Sequence, residues 1–97
     1  MMLVVVSYDI STRLPEGRRR LRQAAKICED FGQRVQCSVF ECWVDASQMV
    51  GLKSELLKTV DLRSDSLRFY FMGERLHGRV EHHGIKTVPN PDGPLVL

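Results

Sequence analysis

Residues 3–6 are Leu-Val-Val-Val, and the run continues through Ser7 and Tyr8 to Asp9. Nearly every position is apolar, and β-branched side chains dominate. The stretch over residues 2–9 therefore reads as a strand, and its lack of a clean polar alternation marks a central strand covered on both faces. The whole chain has 97 residues, which means one domain over 1–97. A domain of that size builds only a thin core, so pairing with a second copy is expected.

The elements that follow come with their own signals. Residues 10–15 form a loop, and Pro15 suits the first turn of a helix. Leu21, Ala24, Ala25, Cys28 and Phe31 recur at steps of three and four, giving one apolar stripe over residues 15–31. Gly32 is placed to stop that helix. Residues 33–44 are rich in strand formers and too long for one average strand, so they read as two short strands meeting near Cys37 and Ser38. Asp45 with Gln48 makes a capping box for a second helix over 46–60, whose buried stripe is Met49, Leu52, Leu56 and Val60. A turn over Asp61–Asp65 leads to a strand over 66–73 with Leu67, Phe69 and Phe71 on one face. Residues 80–88 hold a further short strand. The tail carries several prolines, so it cannot sit centrally in a sheet.

The order is β-α-β-β-α-β with an extra C-terminal strand. That is the α+β, ferredoxin-like arrangement, with one antiparallel sheet and both helices on one face. The core occupies about residues 2–75, and a C-terminal pairing strand and tail occupy about 78–97. The other sheet face needs a cover, and a homodimer packed sheet to sheet provides it. The tail adds as an edge strand to either copy.

Bulk charge carries little information here, since the net charge is +2. Any preference for an acidic partner must come from the placement of cations. The three cysteines, Cys28, Cys37 and Cys42, are odd in number and lack a C-x-x-C pair, which argues against a disulfide framework or a zinc site. They read as buried, reduced thiols in a cytoplasmic protein. Met1–Val6 is too short for a signal-peptide core, and no stretch is apolar enough for long enough to span a bilayer.

Two features carry chemistry. Asp9 closes the buried strand as its sole acidic residue, and it reads either as a turn former or as a metal ligand and general base. One carboxylate makes a poor Mg²⁺ site, but two chains about a two-fold axis supply two Asp9 side chains, so the dimer and the metal support each other. Arg18, Arg19 and Arg20 fall in the first turns of helix one, where cations oppose the macrodipole by a few tenths of a kcal/mol each, up to about 1. They form either a solvated charged face or a phosphate site, and Arg13 and Arg34 extend the same patch into a track for a nucleic-acid backbone. The track has no base-reading signature. Phe40 lies near Arg34 and is read both as core and as a ligand contact. Ser38 is a turn residue rather than a nucleophile. The pair His82-His83 points to opposite faces of a strand and is a weak metal signature.

An apolar strand ending Tyr8-Asp9-Ile10, a loop reaching Pro15-Glu16-Gly17-Arg18-Arg19-Arg20-Leu21, and Val35-Gln36-Cys37-Ser38-Val39-Phe40-Glu41 after helix one together resemble the CRISPR-associated Cas-two family. The resemblance spans about residues 2–90. It implies a ferredoxin-like symmetric homodimer whose last strand pairs with the partner's sheet. It also implies a Mg²⁺- or Mn²⁺-dependent endonuclease acting on single-stranded RNA or duplex DNA. Asp9 matches the family's metal and catalytic position, Arg18 and Arg20 its helix-one arginines, and Arg34 and Phe40 its strand-two arginine and following aromatic. The alternative implied role is a non-catalytic adaptor that holds duplex DNA and bridges the Cas-one integrase. Ser11, Thr12 and Arg13 stand where some members carry a second acidic residue, which weakens metal binding through Asp9 alone.

Overall fold

The computed structural model describes residues 1–72 and 79–85. In chain order it contains β1 (Met2–Asp9), α1 (Pro15–Phe31), β2 (Gly32–Gln36), β3 (Val39–Val44), α2 (Ala46–Thr59), β4 (Ser66–Phe71) and β5 (Arg79–Gly84). The strands form one antiparallel sheet in the order β2-β3-β1-β4-β5. This is the expected βαββαβ topology with a fifth strand. The fifth strand pairs with β4 of its own chain, Leu67 opposite His83 and Phe71 opposite Arg79. The proline-bearing tail and His77 lie outside the described residues.

β1 occupies the middle of the sheet, paired to β3 on one side and β4 on the other. Its side chains alternate. Val4, Val6 and Tyr8 are buried in the core, whereas Leu3, Val5 and Ser7 are only half-buried and Asp9 is exposed. Both helices contribute to the same core: Ala24, Ala25 and Cys28 from α1, and Met49, Leu52 and Leu56 from α2, pack with Phe40, Cys42, Val44, Leu67, Phe69 and Phe71. Leu52 and Leu56 are fully buried, and truncating either to alanine costs about 2–5 kcal/mol. The opposite sheet face has no such layer among the described residues. The second face of β1 carries the half-buried Leu3, Val5 and Ser7, beside the exposed Trp43 of β3.

Local signals explain most boundaries. Asp45 and Gln48 cap α2 reciprocally, with Gln48 N donating to Asp45 Oδ1 at 2.7 Å and Asp45 N donating to Gln48 Oε1 at 2.9 Å. Pro15 opens α1, and Glu16 in its first turn favours the helix dipole. Gly32 ends α1, but in an extended conformation rather than the left-handed one expected for a glycine cap. Glycine is required there for a different reason: a Cβ would lie 2.1 Å from the Glu41 carbonyl oxygen and 2.6 Å from Cys42 Cα. The chain thus passes from helix to edge strand with no intervening residue. β2 and β3 meet in a turn at Cys37–Ser38, as the sequence suggested, with a register irregularity between Arg34 and Gln36.

Candidate functional site

β1 delivers Asp9 to the end of the sheet. Its Cα stands opposite Ser66 on β4, and directly opposed residues share a face. The alternation of β1 puts Asp9 on the open face with Leu3, Val5 and Ser7, away from the helices. Among the described residues no group of three or more His, Cys, Asp or Glu side chains is arranged to hold a metal ion. Among the described residues, Asp9 contributes one exposed carboxylate per chain at this strand end. Mg²⁺ commonly binds through one or two carboxylates, completing its shell with waters and substrate phosphates, so Asp9 suits that sparse mode and not an all-protein cage.

The loop after Asp9 turns sharply into α1. Gly17 makes this possible, because a Cβ there would lie 1.7 Å from the Ser11 carbonyl oxygen. Gly17 N also donates to the Leu14 carbonyl at 3.0 Å. The result places Arg13, Arg18 and Arg19, all exposed, at the same end of the molecule as Asp9. They make no ion pair among the described residues.

Arg20 behaves differently from its two neighbours. Its Nε donates to Asp65 Oδ2 at 2.8 Å and its Nη2 to Asp65 Oδ1 at 3.2 Å. Asp65 is fully buried and also accepts from Ser11 N at 3.0 Å and Asp61 N at 2.8 Å. Burial pushes this carboxyl up. The Arg20 guanidinium and the two backbone N–H groups outweigh that effect and hold it below the usual carboxylate range. Arg20 is therefore committed to the fold. Its expected place in a phosphate track is corrected to that of a brace joining α1, the loop after β1 and the loop before β4. Asp65 escaped the reading of the sequence, which saw residues 61–65 only as a turn. The sole hint available there was a second aspartate immediately before a buried strand.

Arg34 and Phe40 also separate from the track. Phe40 is fully buried in the core, so its expected contact with a nucleic acid is corrected to a packing role. The alternation of β3 turns it toward the helices while Glu41 and Trp43 face out. Arg34 lies over the Phe40 ring, 5.2 Å from its centroid, and sits 3.7 Å from Glu29 of α1. It is thus on the helix side of the sheet edge, the opposite face from Asp9. Of the thiols, Cys28 and Cys42 are buried, and burial pushes their pKa values up to about 12 and about 11. Cys37 is exposed in the hairpin turn, contrary to the expectation of three buried thiols.

Comparison with known proteins bears on this geometry. The family model described as CRISPR associated protein Cas2 matches residues 2–80. A protein of Chlorobaculum tepidum named CRISPR-associated endoribonuclease Cas2 is 56% identical over 99% of this chain and 100% of its own length. A protein of Halalkalibacterium halodurans named CRISPR-associated endonuclease Cas2 is 46% identical over the same shares. The crystal structure of Streptococcus pyogenes Cas2 superposes with a TM-score of 0.70 at 49% identity, covering 77% of this chain and 90% of that one. No helix among the described residues is long and apolar enough to cross a membrane.

Proposed function

This chain belongs to the CRISPR-associated Cas2 family, and on that footing we propose that it is a CRISPR nuclease that cleaves phosphodiester bonds of RNA or DNA as a homodimer. The observation that carries the proposal is the exposed Asp9 carboxylate at the end of the central strand, on the sheet face that the helices leave open. A second copy packed on that face about a two-fold axis brings two Asp9 carboxylates toward one phosphate. Asp9 would hold the Mg²⁺ or Mn²⁺, which when bound supplies charge neutralisation on a phosphodiester oxygen and a more acidic water. Arg13, Arg18 and Arg19 hold the strand by its phosphates, with no reading of bases. The free buried thiols suit a cytoplasmic setting.

The test is a cleavage assay on labelled single-stranded RNA and duplex DNA, in Mg²⁺ and in EDTA. Wild type and Asp9→Ala are compared after both are shown to be dimers. Metal-dependent cleavage should vanish in the variant. Equal cleavage by both proteins would remove Asp9 from the reaction.

A second reading is favoured by the sparse donor set, in which no group of three or more His, Cys, Asp or Glu among the described residues is arranged to hold a metal. In it the dimer is an adaptor that grips duplex DNA and bridges the Cas-one integrase without cutting. Arg18→Ala with Arg19→Ala should then weaken duplex binding and lower its salt dependence by about one unit of slope per phosphate contact removed, while Asp9→Ala changes nothing. Arg20 stays out of that comparison because its loss would disturb the fold.

A further inference from the structure

Asp9, Ser66 and Gly84 stand side by side in the last row of the sheet. Asp9 closes β1, Ser66 opens β4 opposite it, and Gly84 closes β5 opposite Ser66. The chain leaves the sheet at this row twice, after Asp9 and after Gly84. Asp65, one residue before Ser66, holds both exits. Its side-chain Oδ1 accepts from Ser11 N at 3.0 Å, two residues past Asp9. Its main-chain carbonyl accepts from Ile85 N at 3.0 Å, one residue past Gly84. The approach from β5 is close. Gly84 has a φ of 96°, and a Cβ there would run into the Asp65 carbonyl oxygen. Glycine alone lets β5 end so near Asp65.

We propose that Asp65 is a positioning residue for Asp9, and that the Gly84–Ile85 end of β5 sets Asp65, so that the edge strand fixes where the Asp9 carboxylate stands. Asp65 is fully buried, so it acts through Ser11 and touches no substrate itself. It has little freedom to yield. Its N–H donates to the Asp61 carbonyl at 2.7 Å, and its carboxylate is gripped by Arg20 and by Asp61 N. A buried network with all its partners in place is rigid, so a push on the Asp65 backbone from β5 passes to its carboxylate and on to Ser11. Ile10, between Ser11 and Asp9, is buried in the core, which prevents the two from moving independently. A misplacement of about 1 Å made far from the chemistry is enough to slow a reaction about 100-fold. The consequence for cleavage rests on the reading of Asp9 as the nuclease carboxylate. The linkage from β5 to Ser11 is a chain of hydrogen bonds and is read without it.

Two variants disturb the β5 end without touching Asp9. Gly84→Ala presses a methyl against the Asp65 carbonyl, and Ile85→Pro removes the N–H donated to it. Lys53→Ala is the control, because it removes the ion pair from α2 to Glu81 and so loosens β5 away from Asp65. The full-length proteins are compared at a temperature where circular dichroism shows all of them folded. The first readout is amide hydrogen exchange in EDTA. In Gly84→Ala and Ile85→Pro the Ser11 amide should exchange at least about tenfold faster, while the core amides of Val6 and Phe69 keep their rates. The second readout is cleavage of labelled single-stranded RNA in Mg²⁺. Both variants should lower kcat about 10–100-fold with KM within about twofold, and Lys53→Ala should leave both constants unchanged. A Ser11 amide as slow in both variants as in wild type would overturn the linkage. So would acceleration shared by Val6 and Phe69, or produced equally by Lys53→Ala. An unchanged kcat in a variant whose Ser11 amide is released would overturn the positioning role. Absence of cleavage by wild type would instead overturn the nuclease reading, and the exchange rates would still decide the linkage.

Discussion

Asp65 keeps its charge where water does not reach it, and it does so because every lone pair that burial strips of solvent meets a donor. Arg20 supplies a two-point guanidinium contact, and Ser11 and Asp61 supply backbone N–H groups. Removing one member of such a pair leaves the other charge poorly compensated. Asp65→Asn should therefore cost about 3 kcal/mol, at the low end of the range for a broken buried pair because Arg20 still reaches solvent. Urea denaturation of the two proteins measures it. The pH dependence follows from the direction of the shift. The folded carboxyl has a depressed pKa, so its contribution is fully present above the unfolded value of about 3.9 and is lost as pH falls through the lower folded value. Wild type should lose stability in that acid window, and Asp65→Asn should show a flatter profile. Legibility at this scale tracks sequence distance. The Asp45–Gln48 box could be read because both halves lie within one turn. Asp65 could not, since Arg20 and Ser11, the two partners that tie it to the rest of the fold, are 45 and 54 residues away. Nothing local distinguishes Arg20 from Arg18 and Arg19 until the fold shows which one faces inward.

Helices and strands were legible wherever burial followed a simple period, and ambiguous where packing from afar decided. The α1 stripe and the α2 stripe both turned up in the core, with Leu21 and Phe31 at its margin. Phe40 shows the opposite case. Its neighbourhood to Arg34 suggested a ligand contact, but the iteration of in and out along β3 assigns it to the core. Glycine at position 17 gives this scale its test. In an exposed helix interior, Gly→Ala gains about 1 kcal/mol of propensity. Here the new methyl would meet the backbone of Ser11, not a flexible side chain. Gly17→Ala should instead destabilise by about 1–3 kcal/mol, as overpacking does, and lower the melting temperature. A raised melting temperature would show that the loop after Asp9 has room to move.

For the molecule as a whole, among the described residues, the helices cover one face of the sheet and no second layer covers the other. Leu3, Val5 and Trp43 share the open side, Trp43 directly opposite Leu3, and Trp43 is 59% exposed. Covering such a face is the main reason to expect a second copy, and aromatic rings contribute strongly to interfaces of this kind. Trp43→Glu should shift the protein from dimer to monomer in sedimentation velocity at micromolar concentration, with its circular dichroism unchanged. A dimer that survives would move the interface elsewhere. The junction at Phe31–Gly32 carries a further consequence for how this chain tolerates change in length. Most insertions vanish into slack connectors, but here helix and strand share a border with nothing to absorb an added residue. Because neighbouring strand positions point to opposite faces, one extra residue at that border would invert the whole of β2. Arg34 would swing to the Asp9 side and Gln33 would turn inward, so a single-codon insertion would rewire both faces of the molecule at once.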